Sequence, residues 1–366
     1  MVKKKYNIVD LFCGCGGISE GFRSTGKVNI IGAIDFDKAA CETYKYNFKN
    51  ANVICGDINN ISVESSGFSD VDIIVGGPPC QGFSRLNFRD KDRDNDPRNK
   101  LFYQYLRFVE ELQPKALLIE NVKNALVAKD GFVPQAITSI LEGLDYNVSY
   151  SIVRAADFGV PQMRERAIFV AFKKEFGKFS FNSLEEFKQP MVNVHDAISD
   201  IAEIEDFAKS QKPGMVFNLG KPLSSYQKRM RSKNGELYNH LIYYPNDSVQ
   251  EKISYVPQGG NWRFVPKNLF PSDRTNRYTN YLRRLDYSSP SITIDTGHRV
   301  YFHPIFNRVP TVRESARIQS FSDSFIFTGT KGQQLKQVGN AVPPLMALAL
   351  AKAIIKTLES KKNEEI

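Results

Sequence analysis

The chain has 366 residues, of which 42 % are apolar and 24 % charged, and its net charge is +9. That length suffices for one large or two medium domains with their own cores, and the apolar content is that of a soluble protein. The five cysteines are odd in number and lack disulfide-like spacing, which suits a reducing compartment. Cys13 and Cys15 have no His or Cys group nearby to complete a zinc site, so no metal is expected. Lys3-Lys4-Lys5 is followed by only a short apolar run that Asp10 interrupts, unlike a signal peptide. The most apolar late stretch, Leu345 to Ile355, contains Lys352 and is too short to span a bilayer. The expectation is a cytoplasmic protein without a membrane partner.

In chain order, Asn7 to Leu11 reads as a strand, followed by a glycine-rich turn and a short helix from about Ser19. Asn29 to Ile34 is a second strand and Lys38 to Asn47 a helix. Val53 to Cys55 and Val71 to Val75 are further strands, rich in β-branched residues. Leu101 to Leu112 reads as an amphipathic helix, Ala116 to Ile119 as a strand and Phe132 to Leu144 as a helix. Tyr146 to Val153 and Ala167 to Phe172 complete this block. The alternation predicts an α/β fold: a Rossmann-like, doubly wound, mostly parallel sheet covered on both faces. After about Phe179 the periodicity dissolves into polar, Pro- and Asn-rich sequence. Order returns with helices at Thr311 to Gln319 and Pro344 to Leu358, the latter opened by proline. The predicted division is 1–185 plus 311–366 as one domain and 186–310 as a smaller, irregular one.

The strand Val71 to Val75 runs straight into Gly76-Gly77-Pro78-Pro79-Cys80-Gln81-Gly82-Phe83-Ser84. Two prolines stop regular structure and leave Cys80 on a stiff turn past the strand's C-terminal end, where open α/β sheets bind ligands. A thiol there is placed as a nucleophile rather than as core packing. Asp10-Leu11-Phe12-Cys13-Gly14-Cys15-Gly16-Gly17 lies between a strand and a helix, the context of a nucleotide-type glycine turn. Asp35 ends the second strand and Asp57 the third. Each could be a helix cap, but at successive strand ends they read as an adenosine pocket. Glu120 ends the strand beside that of Cys80, so both fall at one pocket. Arg164 and Arg166, two apart, point to one side if extended. They could clamp a base carbonyl or phosphate, or pair with Glu120. Between Lys221 and Pro310 there are 14 Lys/Arg against 6 Asp/Glu, interleaved with Tyr243, Tyr244, Trp262, Phe264, Tyr278 and Tyr281. That composition fits a nucleic-acid surface.

With these motifs in hand, the chain resembles the DNA cytosine-5 methyltransferases of the bacterial modification type. Asp10 to Gly17 resembles their methyl-donor loop and Pro78-Pro79-Cys80-Gln81 their nucleophile motif. Glu120-Asn121-Val122 and Gln162 to Arg166 resemble two base-handling motifs. Arg313-Glu314-Ser315-Ala316-Arg317 resembles the helix that organises the recognition region, and Gln337 to Pro343 the C-terminal motif that folds back onto the donor site. Six motifs in the family's order cover nearly the whole chain.

The resemblance implies methyl transfer from S-adenosylmethionine to carbon 5 of a cytosine in a specific duplex site, leaving S-adenosylhomocysteine. The base would be flipped out of the helix. Cys80 would add at carbon 6, Glu120 would act at N3, and Arg166, with Arg164, would hold the base. It carries cofactor contacts onto Phe12, Gly14, Gly16, Gly17, Asp35, Phe36, Asp57, Ile58, Pro78, Leu101, Asn340 and Val342. The loop Gln81 to Lys100, with six basic and four acidic residues, would close over the base and bring Gln81, Ser84 and Arg85 to DNA. Residues 186–310 would be the target-recognition domain, with Arg263, Arg274, Arg277, Arg283, Arg284 and Arg299 as candidate base readers. A monomer in a bacterial cytosol, acting alone or with a separate restriction endonuclease, is expected. An RNA cytosine methyltransferase shares the motifs; the long basic segment favours DNA. A nicotinamide oxidoreductase would leave Pro-Pro-Cys unexplained, and a non-catalytic DNA binder would have no use for Cys80 and Glu120.

Overall fold

The computed structural model describes residues 5–79, 100–127, 132–202, 219–271, 280–296 and 301–364. The chain divides into two compact units. Unit 1 comprises residues 1–158, 165–189 and 342–366, and unit 2 residues 159–164 and 190–341. Residues 311–341 therefore group with the second unit, not with the sheet as the sequence division had it. The buried helix at 312–318 draws them there, because its arginines and glutamate bond to other segments of unit 2.

Unit 1 is a seven-stranded sheet. Its strands are β1 (Tyr6–Leu11), β2 (Val28–Asp35), β3 (Asn52–Cys55), β4 (Ile73–Gly76), β5 (Ala116–Val122), β6 (Tyr146–Arg154) and β7 (Glu165–Lys173), in the order β3-β2-β1-β4-β5-β7-β6. All neighbouring pairs are parallel except β5–β7 and β6–β7, so β7 alone runs against the sheet. The chain order reverses between β1 and β4, and at such a switch point the strand ends open a crevice. Val9, Leu11, Ile74, Leu117, Ile119 and Phe169 point to one face, where α4 (Lys100–Leu112) and α6 (Phe132–Gly143) cover them. The alternate residues Ile8, Ile73, Leu118 and Val170 are buried on the other face.

The remaining helices of unit 1 are α1 (Gly17–Arg23), α2 (Lys38–Asn47), capped by Asp37, the short α3 (Val63–Ser66) and α5 (Asn124–Val127), and α12 (Pro344–Glu364), which packs on α1. The segment Lys331–Ser360 is apolar enough to cross a bilayer by composition, yet 83 % of its apolar window is buried inside the protein. Core packing explains its character.

Unit 2 holds α7 (Val194–Ala202), α8 (Ser225–Met230), α9 (Asp247–Ser254), α10 (Val312–Ile318), α11 (Lys331–Asn340) and a two-stranded parallel pair, β8 (Arg283–Arg284) with β9 (Tyr301–Phe302). A small core of Ile253, Val256, Val265, Leu282 and Phe302 underlies the region from α9 to β9. All seven residues of α10 are buried, three of them charged. They are tolerated because each is paired. Glu314 accepts two bonds from Arg308, at 2.8 and 2.9 Å, and closes a capping box with Thr311. Arg317 donates to Asp323 and Asp200, and Arg313 to the carbonyls of Tyr238, Ser322 and Phe325.

Candidate active site

The crevice is built from strand ends of unit 1. At the end of β1 the chain turns through Phe12 (φ 59°), Gly14 (φ 53°) and Gly16 (φ 95°) before α1 begins. Left-handed backbone suits glycine. At Gly16 a Cβ would also lie 2.5 Å from the Phe48 ring. The Gly14 N–H donates to the Asp35 carboxylate at 2.8 Å, and the Asp37 N–H to its other oxygen at 2.8 Å. Asp35 thus ties the glycine turn to the end of β2. Burial pushes its carboxyl above the usual range, against the pull of these N–H groups. Beside it Phe36 is 74 % exposed, an aromatic face left open on an otherwise well-packed edge. Asp57, past β3, caps the turn Ile58–Asn60 by accepting from the Asn59 N–H, and Ile58 is buried beneath it.

These residues suit an adenosyl group. Phe36 and Phe12 offer a ring to stack on. Each oxygen of Asp35 accepts one backbone N–H and retains capacity for a ribose hydroxyl. At Gly14 a Cβ would meet nothing within 4 Å, so the turn faces open space. Leu101 lies half-buried in the first turn of α4, Val342 is buried in unit 1, and Asn340 is exposed at the end of α11 in unit 2. Among the described residues no group of three or more His, Cys, Asp or Glu could hold a metal.

The second half of the crevice lies at the ends of β4 and β5, which pair with Gly76 opposite Ile119. Glu120 lies inside β5, which continues to Val122 because antiparallel pairing with β7 extends the ladder beyond the sequence boundary at Ile119. In that ladder Val122 faces Arg166, so Glu120 and Arg166 are diagonal neighbours on one face. Arg166 Nε lies 2.7 Å from Glu120 Oε1, and both side chains are 14 % exposed. The other Glu120 oxygen lies 3.0 Å from where a Cβ of Gly77 would be. A side chain at 77 would therefore crowd the carboxylate. Asn121 Nδ2 donates to the carbonyl of buried Pro78 at 2.9 Å, pinning the Pro-Pro segment to β5. Sequence reasoning missed this tie, whose only local signal is an Asn beside Glu120. Cys80, Gln81, Ser84, Arg85, Arg274, Arg277 and Arg299 lie outside the described residues.

Two sequence expectations are corrected. Arg164 precedes β7 and does not share Arg166's face. It is buried in unit 2 and donates to the carbonyls of Ile294 and Gly339 at 3.0 and 2.8 Å, a structural clamp rather than a base contact. Arg284 is equally unsuited to reading a base. Its guanidinium is buried and donates to the carbonyls of Ile253, Val256 and His303 and to Asn307 Oδ1. Arg263 is exposed and Arg283 half-buried.

Asp10 has a part that the sequence did not suggest. It is buried within β1, accepts a bond from Ser19 Oγ at 2.6 Å, and Ser19 meets the Tyr44 hydroxyl at 2.6 Å. Burial raises its carboxyl to about 7. This chain of bonds stitches β1, α1 and α2 together beneath the glycine turn.

A profile of the C-5 cytosine-specific DNA methylases matches residues 6–356. The chain belongs to this family. It is a DNA (cytosine-5) methyltransferase. It is 33 % identical over 353 residues to the type II methyltransferase M1.HphI of Haemophilus parahaemolyticus, covering 95 % of this chain and 86 % of that one. It is 34 % identical over 373 residues to M.DdeI of Desulfomicrobium norvegicum, covering 95 % and 88 %. Among solved structures, a protein described as a DNA modification methyltransferase encoded within an E. coli prophage superposes with a TM-score of 0.78 at 26 % identity, covering 97 % of this chain and all of that one (100 %). The Dnmt2 methyltransferase of S. pombe shares the fold at a TM-score of 0.59 and 18 % identity, covering 97 % of this chain and 99 % of that one.

Proposed function

We propose that this DNA methyltransferase marks cytosines in a defined duplex sequence by covalent catalysis through Cys80, as the modification half of a bacterial restriction system or as an orphan enzyme. The observation that carries this reading is the Glu120–Arg166 pair, seated against Gly77 and Pro78 immediately before Cys80. Carbon 5 of cytosine is a poor nucleophile. Sulfur addition at carbon 6 converts the ring to an enamine with its electron density at carbon 5. Glu120 would hold a proton at N3 as that addition proceeds, and Arg166, paired with its carboxylate, would take the base carbonyl. Asn121 holds Pro78, two residues before Cys80 in the chain. Phe12, Asp35, Phe36, Asp57 and Ile58 would hold S-adenosylmethionine, which when bound would supply the methyl group to carbon 5. Carbon 5 then loses its proton and the Cys80 sulfur leaves. The target atoms are stacked inside a duplex, so the base must leave the helix to reach these groups.

A duplex carrying 5-fluorocytosine at the target tests the reading, because carbon 5 then has no proton to lose. Wild-type enzyme should form a denaturant-stable adduct with S-adenosylmethionine present, and Cys80→Ser should form none while still binding DNA. Near-normal methylation by Cys80→Ser would sink the mechanism.

A further inference from the structure

Buried Arg284 raises the question of what it holds. Its guanidinium donates to the carbonyls of Ile253 and Val256 at the end of α9 and to those of His303, Ile305 and Phe306 beyond β9. Its backbone N–H donates to the Gly260 carbonyl at 3.1 Å, and its own carbonyl accepts from the Gly259 N–H at 3.2 Å. One residue thus fixes the turn Pro257 to Gly260 against two neighbouring segments. Gly259 has a φ of 73°, and at Gly260 a Cβ would lie 2.9 Å from Pro257 and 3.1 Å from the Phe264 ring. The next residues are held as firmly. The Asn261 side chain accepts from the Arg263 N–H at 3.1 Å, and the Trp262 N–H donates to the Tyr281 carbonyl at 3.1 Å. Trp262 and Val265 sink into the small core of unit 2.

This rigid turn points outward the side chains that a packed protein would hide. Phe264 is 59 % exposed and Arg263 is exposed. The Arg263 guanidinium rests over the Trp262 ring, 5.4 Å from its centre, which restricts its rotamers without consuming its donors. Lys267 follows on the next turn, also exposed. With half-buried Arg283, these two exposed cations leave positive charge on the described surface of this stretch. A stiff, basic tip with an open aromatic ring matches a polyanion that displays base edges. A preorganised guanidinium fork matches the two acceptors of a guanine edge.

We infer that Arg263 reads a guanine edge in the duplex site and that Phe264 makes the neighbouring apolar contact. This rests on the DNA methyltransferase reading above and names part of its specificity. Arg284 is the scaffold of the tip and touches no base.

The test uses the full-length enzyme, with methylated positions across a bacterial genomic DNA read by bisulfite sequencing. The wild-type profile defines the recognition sequence. Arg263→Ala should lower kcat/KM at that sequence by about 5- to 150-fold and admit other bases at one guanine position. Arg263→Lys should relax the same position, because an ammonium lacks the fork. Phe264→Ala should weaken discrimination at an adjacent pair. Thermal unfolding of each variant should match wild type, since these side chains lie on the surface. Uniform weakening across all sequences, with a shallower salt dependence, would make Arg263 a phosphate contact and overturn the inference. An unchanged site profile and rate would overturn it too. A wild-type enzyme that methylates no duplex would instead end the parent reading, so the two failures separate.

Discussion

Gly21→Ala puts two magnitudes in opposition at the seam between α1 and α12. Alanine is the better helix former by about 1 kcal/mol, so on propensity alone the variant gains stability. The seam decides otherwise. A Cβ at position 21 would lie 2.4 Å from the Ala347 Cβ, 2.6 Å from the Leu348 nitrogen and 2.7 Å from the Ala347 carbonyl carbon. Ordinary carbon contacts sit at about 3.5–4.0 Å, so the helices must part by roughly 1 Å. Two of the three atoms are backbone and cannot swing aside. Ala347, Leu350 and Ala351 are buried, and parting the helices opens gaps around them. Overpacking of this kind costs about 1–3 kcal/mol. With two backbone atoms in the way the upper part of that range applies, about 2–3 kcal/mol. After the helix gain of about 1 kcal/mol, the expected net result is a loss of about 1–2 kcal/mol, read as a lower urea midpoint at unchanged slope. Because α1 continues from the glycine turn, S-adenosylmethionine affinity measured by calorimetry should fall as well. A variant as stable as wild type, or more so, would refute the close-packed seam.

Three further outcomes follow from charged groups. Glu120→Gln should slow the chemical step by about 10²–10⁴-fold in single-turnover assays with little change in cofactor affinity; a loss confined to cofactor binding would move Glu120 out of the base site. Burial holds Asp10 at about 7, above its unfolded carboxyl, so its contribution is fully present near pH 4 and is lost as pH rises through 7. Asp10→Asn should flatten that slope, by up to about 3 kcal/mol between pH 5 and pH 8.5 in urea unfolding, and an unchanged slope would refute the assignment. Burial pushes His240 down to about 4 and His303 to about 3. Both are neutral in the fold and charged when unfolded in mild acid, so their contribution is complete above pH 6.5 and fades toward pH 4. The sole tryptophan, Trp262, lies in the same unit, and its fluorescence should report that acid loss. Constant stability of unit 2 between pH 6.5 and pH 4.5 would contradict it.

Where the sequence read well, the signal was local. Helix α2 has the bounds expected from its periodicity, Lys38–Asn47, and β1 and β4 shift by only one or two residues, while β5 runs three residues past its expected end. Helix α11 escaped notice because KGQQLKQVGN is polar and carries two glycines, although its capping box, Thr330 with Gln333, was there to be read. The direction of β7 was also hidden. Strand composition does not encode direction, and only the ladder, with Val122 opposite Arg166, puts the two catalytic candidates on one face. Legibility of the site followed the same rule. Phe36 stands just past the end of β2 and Glu120 just past the boundary that the pattern gives β5, whereas the link from Asn121 to Pro78 depends on pairing across 43 positions.

The charge surplus shows how a sound local rule misleads at long range. A cluster of arginines among aromatics suggests an anion-binding face, and Lys221 to Pro310 has that composition. Yet Arg231 is bound to Asp200 and to the carbonyls of Leu219 and Gly220, Arg308 to Glu314, and Arg284 to carbonyls. Arg164 does the same across separations of 130 and 175 residues. The reason is chemical. A region poor in regular structure leaves many carbonyls without ladder partners, and each must be satisfied once buried. A guanidinium carries five donors in a planar fork and satisfies several at once, which an ammonium cannot match. In an irregular unit an arginine is therefore as readily spent on buried carbonyls as left at the surface. Composition alone counts both kinds together, and only burial separates Arg284, which satisfies carbonyls, from Arg263, which is left at the surface.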